Sequence, residues 1–519
     1  MDDTLTAFVE RIGPFPKRTV CFIGLGPGDP GLLAVKGAVR LRQADVVFYD
    51  FGYHPSAIWN LLAPDAERVP VPGCGSSPTP AQIAETIRPH VEAGRRVVYL
   101  TGGNPFVFER ADQVARALSG LGVAFEVVPG LTAALAAAAY AGVPLSAHGT
   151  TDAVSLAPGA SDDEPDAVPP GLPPLARGGT LAVYVGERNL NRICDALRTG
   201  GLEGTTPAAI VEDATRTGQR VLSGTLDTIA AQAADAGVTS PALFFFGPRA
   251  TVRPELNWFE RRPLFGQRIL VTRPWHQSAV LAGRLSALGA DVIEAPTVTI
   301  EPPCDHGPMD DALGRLPDYH WLILTSANGA DALADRMRHL GLDARALAAV
   351  RIAAIGPATA DRLRTLFVEP DLVPDEFVAE SLAQALGTTD LTGKRCLLLR
   401  SDIARKTLPE MLDAAGARCD DIPAYRTTIP DKLPDEIIRD LAAGAIQWAT
   451  FTSSSTFANF VTLLGDRAPT VLPTLKLASI GPITSGTIRS AGYEPTVEAQ
   501  TYTVEGLADA IAESGTSAP

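Results

Sequence analysis

Three glycines at alternate positions, Gly24, Gly26 and Gly28, with Pro27 among them and Asp29 directly after, form the first stretch whose spacing could serve chemistry. Glycine permits tight turns and lets a ligand approach the backbone. Asp29 is placed to cap a helix running through Leu32, Val35 and Val39. The pattern is not G-x-G-x-x-G, and it is not a phosphate loop, because no Gly-Lys-Ser/Thr follows. A second set of residues recurs late in the chain. Ser326 and Ser453 each end a Thr-Ser turn after an apolar run, and Thr359 and Thr484 each follow an Ile-Gly-Pro-x turn. Helix N-termini with free N–H groups attract carboxylates. Two lobes that each present two such ends would make a cleft for a polyanionic ligand. The histidines, His54, His90, His148, His276, His306, His320 and His339, show no metal spacing, and the six cysteines include no C-x-x-C pair. No metal is expected.

These residues need elements to position them. The apolar run Val20 to Ile23 reads as a buried parallel strand that stops at Gly24, so the glycine loop forms a cradle at the carboxyl end of a sheet. Apolar runs alternate with helical patterns through Leu145, the mark of an α/β sheet. Ser155 to Gly178 is rich in Pro, Gly, Asp and Ala and reads as an exposed loop or insertion. The runs 180–186, 208–215 and 241–247 read as strands of a second α/β subdomain, and 258–266 reads as a short bridge with few periodic features. A new unit opens at Arg268-Ile-Leu-Val-Thr-Arg-Pro274 and contains an internal repeat. Its two Thr-Ser serines lie 127 residues apart, and its two Ile-Gly-Pro glycines lie 125 apart.

A chain of 519 residues, 46% hydrophobic, suffices for several cores. No apolar run approaches the roughly 18 residues that span a bilayer, and Met1-Asp-Asp-Thr-Leu-Thr lacks a signal-peptide pattern. A reduced, cytoplasmic setting with no membrane partner is expected. The net charge of −15 argues against nucleic acid as a partner, though not against a local basic pocket for an anionic substrate.

Four ordered words extend the glycine loop: Ala44-Asp-Val-Val-Phe-Tyr-Asp50, Thr101-Gly-Gly-Asn-Pro-Phe-Val-Phe108, Val127-Val-Pro-Gly-Leu-Thr-Ala-Ala-Leu135 and Ala139-Tyr-Ala-Gly-Val-Pro-Leu145. Together they resemble the tetrapyrrole methylase family, and within it the uroporphyrinogen-III C-methyltransferases, over residues 17–250. The resemblance implies an α/β fold of two subdomains and S-adenosyl-L-methionine as cofactor. It implies cofactor contacts at Pro27, Gly102, Gly103, Asn104, Val107, Thr132, Ala133, Val185 and Ala214. Methylation at a pyrrole α-carbon also requires loss of a proton. Asp50 matches the family's proposed acceptor, and equally suits a turn or cap. Arg110 matches the family arginine that would bind a propionate, and equally suits a solvated helix arginine. The family is usually dimeric, which implies a homodimer through this half.

The second unit resembles uroporphyrinogen-III synthase over residues 266–515, through Arg268–Pro274, the paired turns and Ile422-Pro-Ala-Tyr-Arg426. The implied fold is a two-lobed one of parallel-sheet lobes, 266–300 with 428–515 and 301–427, with crossings near Thr299 and Thr427 as a hinge. The implied reaction cyclises hydroxymethylbilane to uroporphyrinogen III with loss of water. Tyr425 matches the family's cleft tyrosine and would assist departure of the hydroxyl, while a hinge-packing tyrosine fits the same position. Ser326, Thr359, Ser453 and Thr484 would bind substrate carboxylates, and helix capping uses the same geometry. The product of this half would be the substrate of the other.

The first half departs from its family in four places. Asn104 replaces an aspartate, Gln113 a glutamate and His148 an arginine, and Val71-Pro-Gly-Cys-Gly75 lacks the family's lysine. A bifunctional enzyme is therefore expected beside an alternative, a synthase fused to a methylase-like binding or scaffold module. A third possibility is a two-lobed ligand sensor in the second half.

Overall fold

The computed structural model describes residues 10–50, 56–63, 65–71, 78–149, 153–159, 168–169, 171–176, 179–185, 189–239, 241–251 and 254–515. Four five-stranded sheets carry these residues.

The first sheet holds Thr19–Gly24 (β1), Val46–Asp50 (β2), Glu67–Val71 (β3), Val97–Thr101 (β4) and Ala124–Val128 (β5), in the order β3-β2-β4-β1-β5 and parallel throughout. β1 is buried at every residue, as an unbroken apolar strand covered on both faces must be. Three helices matter for the site: Val35–Gln43 (α1), Ala111–Gly120 (α2) and Ala133–Ala141 (α3). Asp29 does cap a helical turn, but a short one. Its Oδ1 accepts from the Gly31 N–H at 2.7 Å across the 3-10 turn Pro30–Leu32. Leu33 and Ala34 are then extended, and α1 starts only at Val35. The helix predicted through Leu32 is thus broken there.

The second sheet holds Ala153–Pro158 (β6), Gly179–Val185 (β7), Pro207–Glu212 (β8), Arg220–Thr225 (β9) and Ala242–Phe246 (β10), in the order β6-β7-β10-β8-β9. Only β6 and β7 pair in parallel; β10 runs antiparallel to β7 and β8, and β8 antiparallel to β9. The loop expected over Ser155 to Gly178 is partly regular. Ser155–Pro158 belongs to β6, and Leu172–Ala176 is helical with Leu172 and Ala176 buried. As an edge strand β6 tolerates a proline at its end, so proline content misled the expectation. Residues 160–167 lie outside the described residues.

The bridge is a packed seam. Phe259 and Leu264 are buried. The Tyr140 ring of α3 meets Trp258 at 5.0 Å and Phe259 at 4.7 Å, and Phe259 meets Phe265 at 5.4 Å. Leu264 continues into one core with Ile269, Leu507 and Ile511.

The last two sheets interleave along the chain. Their strands are Arg268–Val271 (β11), Asp291–Glu294 (β12), Thr299–Glu301 (β13), Trp321–Leu324 (β14), Arg351–Ala354 (β15), Arg395–Ser401 (β16), Arg418–Thr428 (β17), Trp448–Phe451 (β18), Lys476–Ser479 (β19) and Val497–Glu498 (β20). One sheet is β12-β11-β18-β19-β20, parallel throughout. The other is β13-β17-β16-β14-β15, parallel except for the pairing of β13 with β17. The chain enters and leaves this lobe through that antiparallel pair, Thr299 opposite Thr428 and Glu301 opposite Arg426. Among the helices between and after these strands are Trp275–Ala287 (α4), Ala327–His339 (α5), Pro357–Arg364 (α6), Ala379–Gly387 (α7), Ser454–Leu464 (α8), Pro482–Ser490 (α9) and Val504–Gly515 (α10).

Candidate functional site

In the first half, the loops after β1, β4 and β5 meet through bare backbone. A Cβ on Gly130 would stand 2.0 Å from the Gly103 carbonyl oxygen, and one on Gly24 would stand 2.4 Å from the same atom. Gly26, at φ +80°, exchanges backbone hydrogen bonds with Gly103 at 3.2 and 3.0 Å. Asn104 closes the junction. Its Nδ2 donates to the Gly130 carbonyl at 3.1 Å, and its Oδ1 accepts from the Phe106 N–H at 3.1 Å. An aspartate could not make the first of these bonds, so the departure at Asn104 has a structural use.

The second subdomain completes the cleft. Thr132 and Tyr184 of β7 share a hydroxyl–hydroxyl bond of 2.5 Å, and Tyr184 also accepts from the Ala134 N–H at 3.1 Å, so a side chain from β7 caps α3. The Asp29 N–H donates to Thr215 Oγ1 at 3.1 Å, and the Tyr140 hydroxyl donates to Asp29 Oδ2 at 2.7 Å. Burial first, and then Asp29, raise Tyr140 above the usual phenol range, so it stays a donor. Asp213 and Thr215 hold positive φ values of 46° and 69° on the β8–β9 loop, strained backbone on either side of Ala214, which packs against the core that holds Ala134 and Ala137 of α3. Burial raises the Asp213 carboxyl, with Arg216 opposing the shift.

Some of the expected contacts meet here: Gly103 bonds to Gly26, Asn104 to Gly130, and Thr132 to Tyr184, the residue before Val185. Pro27 lies half-buried between Gly26 and Gly28. Gly102 is exposed, and a Cβ on Gly103 would meet nothing within 4 Å, so the backbone there is open to a ligand. The Val107 N–H bonds to Asn104 O at 3.1 Å. Thr132 and Ala133 open α3, and Val185 ends β7. Arg110 directly precedes α2, beyond the Gly102–Val107 turn. Asp50 ends β2, and its side chain, like that of Val185 and like residues 72–77, lies outside the described residues. Gln113 and His148 are exposed. Sequence reasoning missed Tyr140, Tyr184 and Thr215, whose partners are far away in the chain.

In the second half, both Thr-Ser serines cap helices. Ser326 Oγ accepts from the Gly329 N–H at 3.0 Å, and Ser453 Oγ from the Thr456 N–H at 3.2 Å. Thr359 and Thr484 are each the third residue of their helices, α6 and α9, and both are buried. Tyr425 is 7% exposed, its ring packed in the core with Leu324 and Leu399, while its hydroxyl reaches Ser326 Oγ at 2.9 Å. The structure therefore joins Tyr425 and Ser326 into one pair at the N-terminus of α5.

The carboxyl edges of the two sheets face each other. Gln277 of α4 reaches Asn328 of α5 at 3.5 Å across the gap. Beside Gln277, bonded to it at 3.3 Å, stands Arg273, which sequence reasoning did not single out. Among the described residues Arg273 meets no carboxylate, and burial alone pulls its guanidinium below the ordinary value. A half-buried arginine at a cleft edge, with no acid beside it among the described residues, suits a ligand carboxylate.

Among the described residues no helix is long and apolar enough to cross a membrane, and no cluster of His, Cys, Asp and Glu could hold a metal ion. Residues 19–230 match the model of the tetrapyrrole (corrin/porphyrin) methylases, and residues 279–509 match that of the uroporphyrinogen-III synthase HemD. The chain is 30% identical over 499 residues to the porphyrin biosynthesis protein HemD of Ruminiclostridium josui, covering 96% of this chain and 98% of that one. It is 38% identical over 248 residues to the siroheme synthase of Edwardsiella ictaluri (strain 93-146), covering 47% of this chain and spanning only 53% of that relative. A uroporphyrin-III C-methyl transferase of Thermus thermophilus, solved with S-adenyl homocysteine, superposes with a TM-score of 0.38 at 32% identity, over 44% of this chain and 92% of that one.

Proposed function

We propose, for a chain that belongs to the family of the porphyrin biosynthesis protein HemD and joins a tetrapyrrole methylase unit to a uroporphyrinogen-III synthase unit, that both halves are active on consecutive steps. In this proposal residues 266–515 cyclise hydroxymethylbilane to uroporphyrinogen III with loss of water, and residues 17–250 methylate that product towards precorrin-2. The synthase half divides into 266–300 with 428–515, and 301–427. The protein works in the cytoplasm, and the methylase half is its dimer contact.

The observation that carries the proposal is the facing pair of carboxyl edges, joined at Gln277 and Asn328, which directs four helix N-termini and Arg273 at one gap. A linear tetrapyrrole bears carboxylates around an apolar body, and backbone N–H donors with one arginine suit its periphery. Because Thr359 and Thr484 are buried, the first-turn N–H groups of α6 and α9 serve as donors more than the hydroxyls do. The Tyr425 hydroxyl, held by Ser326, assists departure of the substrate hydroxyl.

In the first half, S-adenosyl-L-methionine, when bound, supplies an electrophilic methyl group. The open backbone at Gly102 and Gly103 fits such a ligand. Pro27, Asn104, Val107, Thr132, Ala133, Val185 and Ala214 complete the cradle, Arg110 binds a propionate and Asp50 accepts the α-carbon proton. Positioning supplies much of the acceleration. A second reading, a methylase-like module that binds without turnover, is favoured by Gln113 and His148, both exposed where the family carries charged partners.

The test is hydroxymethylbilane given to the full chain with and without S-adenosylmethionine, with products identified by mass and isomer. Type III product that gains methyl mass only with the cofactor is expected. Type III product without methyl gain selects the second reading. Type I product alone, at the spontaneous rate, overturns the proposal.

A further inference from the structure

The repeat in the second half extends beyond the words that revealed it. Phe377 and Tyr502 lie 125 residues apart, the same offset as Gly356 and Gly481, and each stands two residues before its helix, α7 or α10. Each ring lies on the glycine of its own lobe. A Cβ on Gly356 would meet Phe377 atoms at 3.1 Å, and one on Gly481 would meet the Tyr502 ring at 3.0 Å. Neither glycine needs to be glycine for its backbone, since φ is −173° at Gly356 and 171° at Gly481, extended values that any residue adopts. The missing side chain leaves room for the ring, and for little else, because no other residue comes as close. Both rings nevertheless face water. Phe377 is 57% exposed and Tyr502 63% exposed, each beside a helix N-terminus at the carboxyl edge of its sheet. Other exposed apolar residues share those edges: Val378, Ile403, Ile429 and Ile483. A doubled arrangement that seats an aromatic ring on glycine and then leaves it wet marks a surface meant to be covered.

We infer that Phe377 and Tyr502 are paired platforms for the substrate, each packing against one pyrrole ring while the adjoining first turn, of α6 or α9, binds a carboxylate of that same ring. The inference rests on the proposed synthase activity and adds two positioning residues to it. Two platforms at related places in two lobes would hold two pyrroles of one linear chain, fixing which ends approach as the gap closes. Ring inversion then depends on them, whereas spontaneous closure does not.

The experiment uses the full chain with hydroxymethylbilane and isomer-resolved chromatography. Phe377→Ala and Tyr502→Ala should each raise KM about two- to tenfold, the range expected for one aromatic contact, and shift product from type III to type I. Tyr502→Phe should behave as wild type, because the ring acts rather than the hydroxyl. Thermal unfolding should move little, since each side chain is more than half exposed. Gly356→Ala and Gly481→Ala, which displace the rings without removing them, should show the same kinetic trend more weakly. Unchanged KM and isomer ratio in both alanine variants would overturn the inference while leaving the synthase reading intact. A Tyr502→Phe variant as impaired as Tyr502→Ala would also overturn it, by assigning the role to the hydroxyl. Wild-type protein that gives only type I product at the spontaneous rate removes the synthase reading, and this inference with it.

Discussion

Replacing Tyr425 by phenylalanine removes one oxygen from a pair whose geometry is known. The Tyr425 hydroxyl and Ser326 Oγ are 2.9 Å apart, and Ser326 Oγ also accepts from the Gly329 N–H at 3.0 Å. Ser326 therefore keeps its capping role in Tyr425→Phe, no buried donor is orphaned, and the ring keeps its place among Leu324 and Leu399. The stability loss should be about 1 kcal/mol, the net worth of one hydrogen bond. Ser326→Ala is harsher. It loses the cap, about 1 kcal/mol, and strips a buried hydroxyl of its partner, about 1–3 kcal/mol more. If the phenol assists hydroxyl departure, Tyr425→Phe should slow type III formation about 10²–10⁴-fold. A loss of about 1 kcal/mol cannot do that to a domain stable by about 5–15 kcal/mol, because nearly all molecules stay folded. Because hydroxymethylbilane also closes spontaneously without inversion, the defect appears as type I product in place of type III. Chromatography of the oxidised porphyrins reads the ratio, and chemical denaturation of the same samples reads the stability. Wild-type rates of type III formation in Tyr425→Phe, with the expected small stability loss, would show that the tyrosine is structural and that catalysis rests on the cleft's backbone donors.

Gly130→Ala should destabilise the first half by about 1–3 kcal/mol and abolish S-adenosylmethionine binding, because its Cβ would press on backbone atoms of Gly103 and Gly24; calorimetric titration checks this, and wild-type affinity would show that the three loops can part without cost. Arg273→Gln should raise KM for hydroxymethylbilane by more than it lowers kcat, with little change in melting temperature, since the arginine holds no carboxylate of the protein among the described residues. Hydrogen bonds from Arg96 hold the Asp45 carboxyl below its ordinary range. That pair contributes stability above the unfolded carboxylate pKa of about 3.9 and loses it as pH falls through the lower folded value. Asp45→Asn should therefore cost under about 1 kcal/mol at pH 7 for this part-exposed pair, and the difference should vanish in acid unfolding curves taken well below pH 4.

The strand-glycine-loop start and the repeated turns were legible because their chemistry is local. Buried apolar β1, the Ser326 cap and the Ser453 cap are each decided within a few residues. Asp29 was legible as a cap but not as the end of a 3-10 turn, since Leu33 and Ala34 leave the helix with no proline or glycine of their own to signal it. Pairings over long separations left no local trace. Tyr140 meets Asp29 across 111 residues, and Tyr184 meets Thr132 across 52. The bridge looked featureless because its order comes from Trp258 and Phe259 packing on the distant Tyr140 ring and from Phe259 meeting Phe265, not from any period in its own sequence. Arg273 left no local trace either, since what marks it is its burial and, among the described residues, the lack of a facing carboxylate. The Phe377–Tyr502 correspondence stood in the sequence at the right offset, but two aromatics sharing so few neighbouring letters carry no weight until both are found on glycine.

The β13–β17 ribbon has a mechanical consequence. Both chain crossings between the last two sheets run through it, and its register is locked by three facing residue pairs, by the Arg426–Glu301 ion pair at 2.7 Å and by the bond from Arg426 Nε to the Pro302 carbonyl at 3.2 Å. Sliding one strand along the other would break every one of those links together. Flexing the ribbon out of its own plane breaks none. The two lobes are thereby left with one soft coordinate, like a book with a stitched spine. Whatever lies between the pages is gripped at the same paired positions each time they close, so the register of the ribbon sets the alignment of the gap it governs.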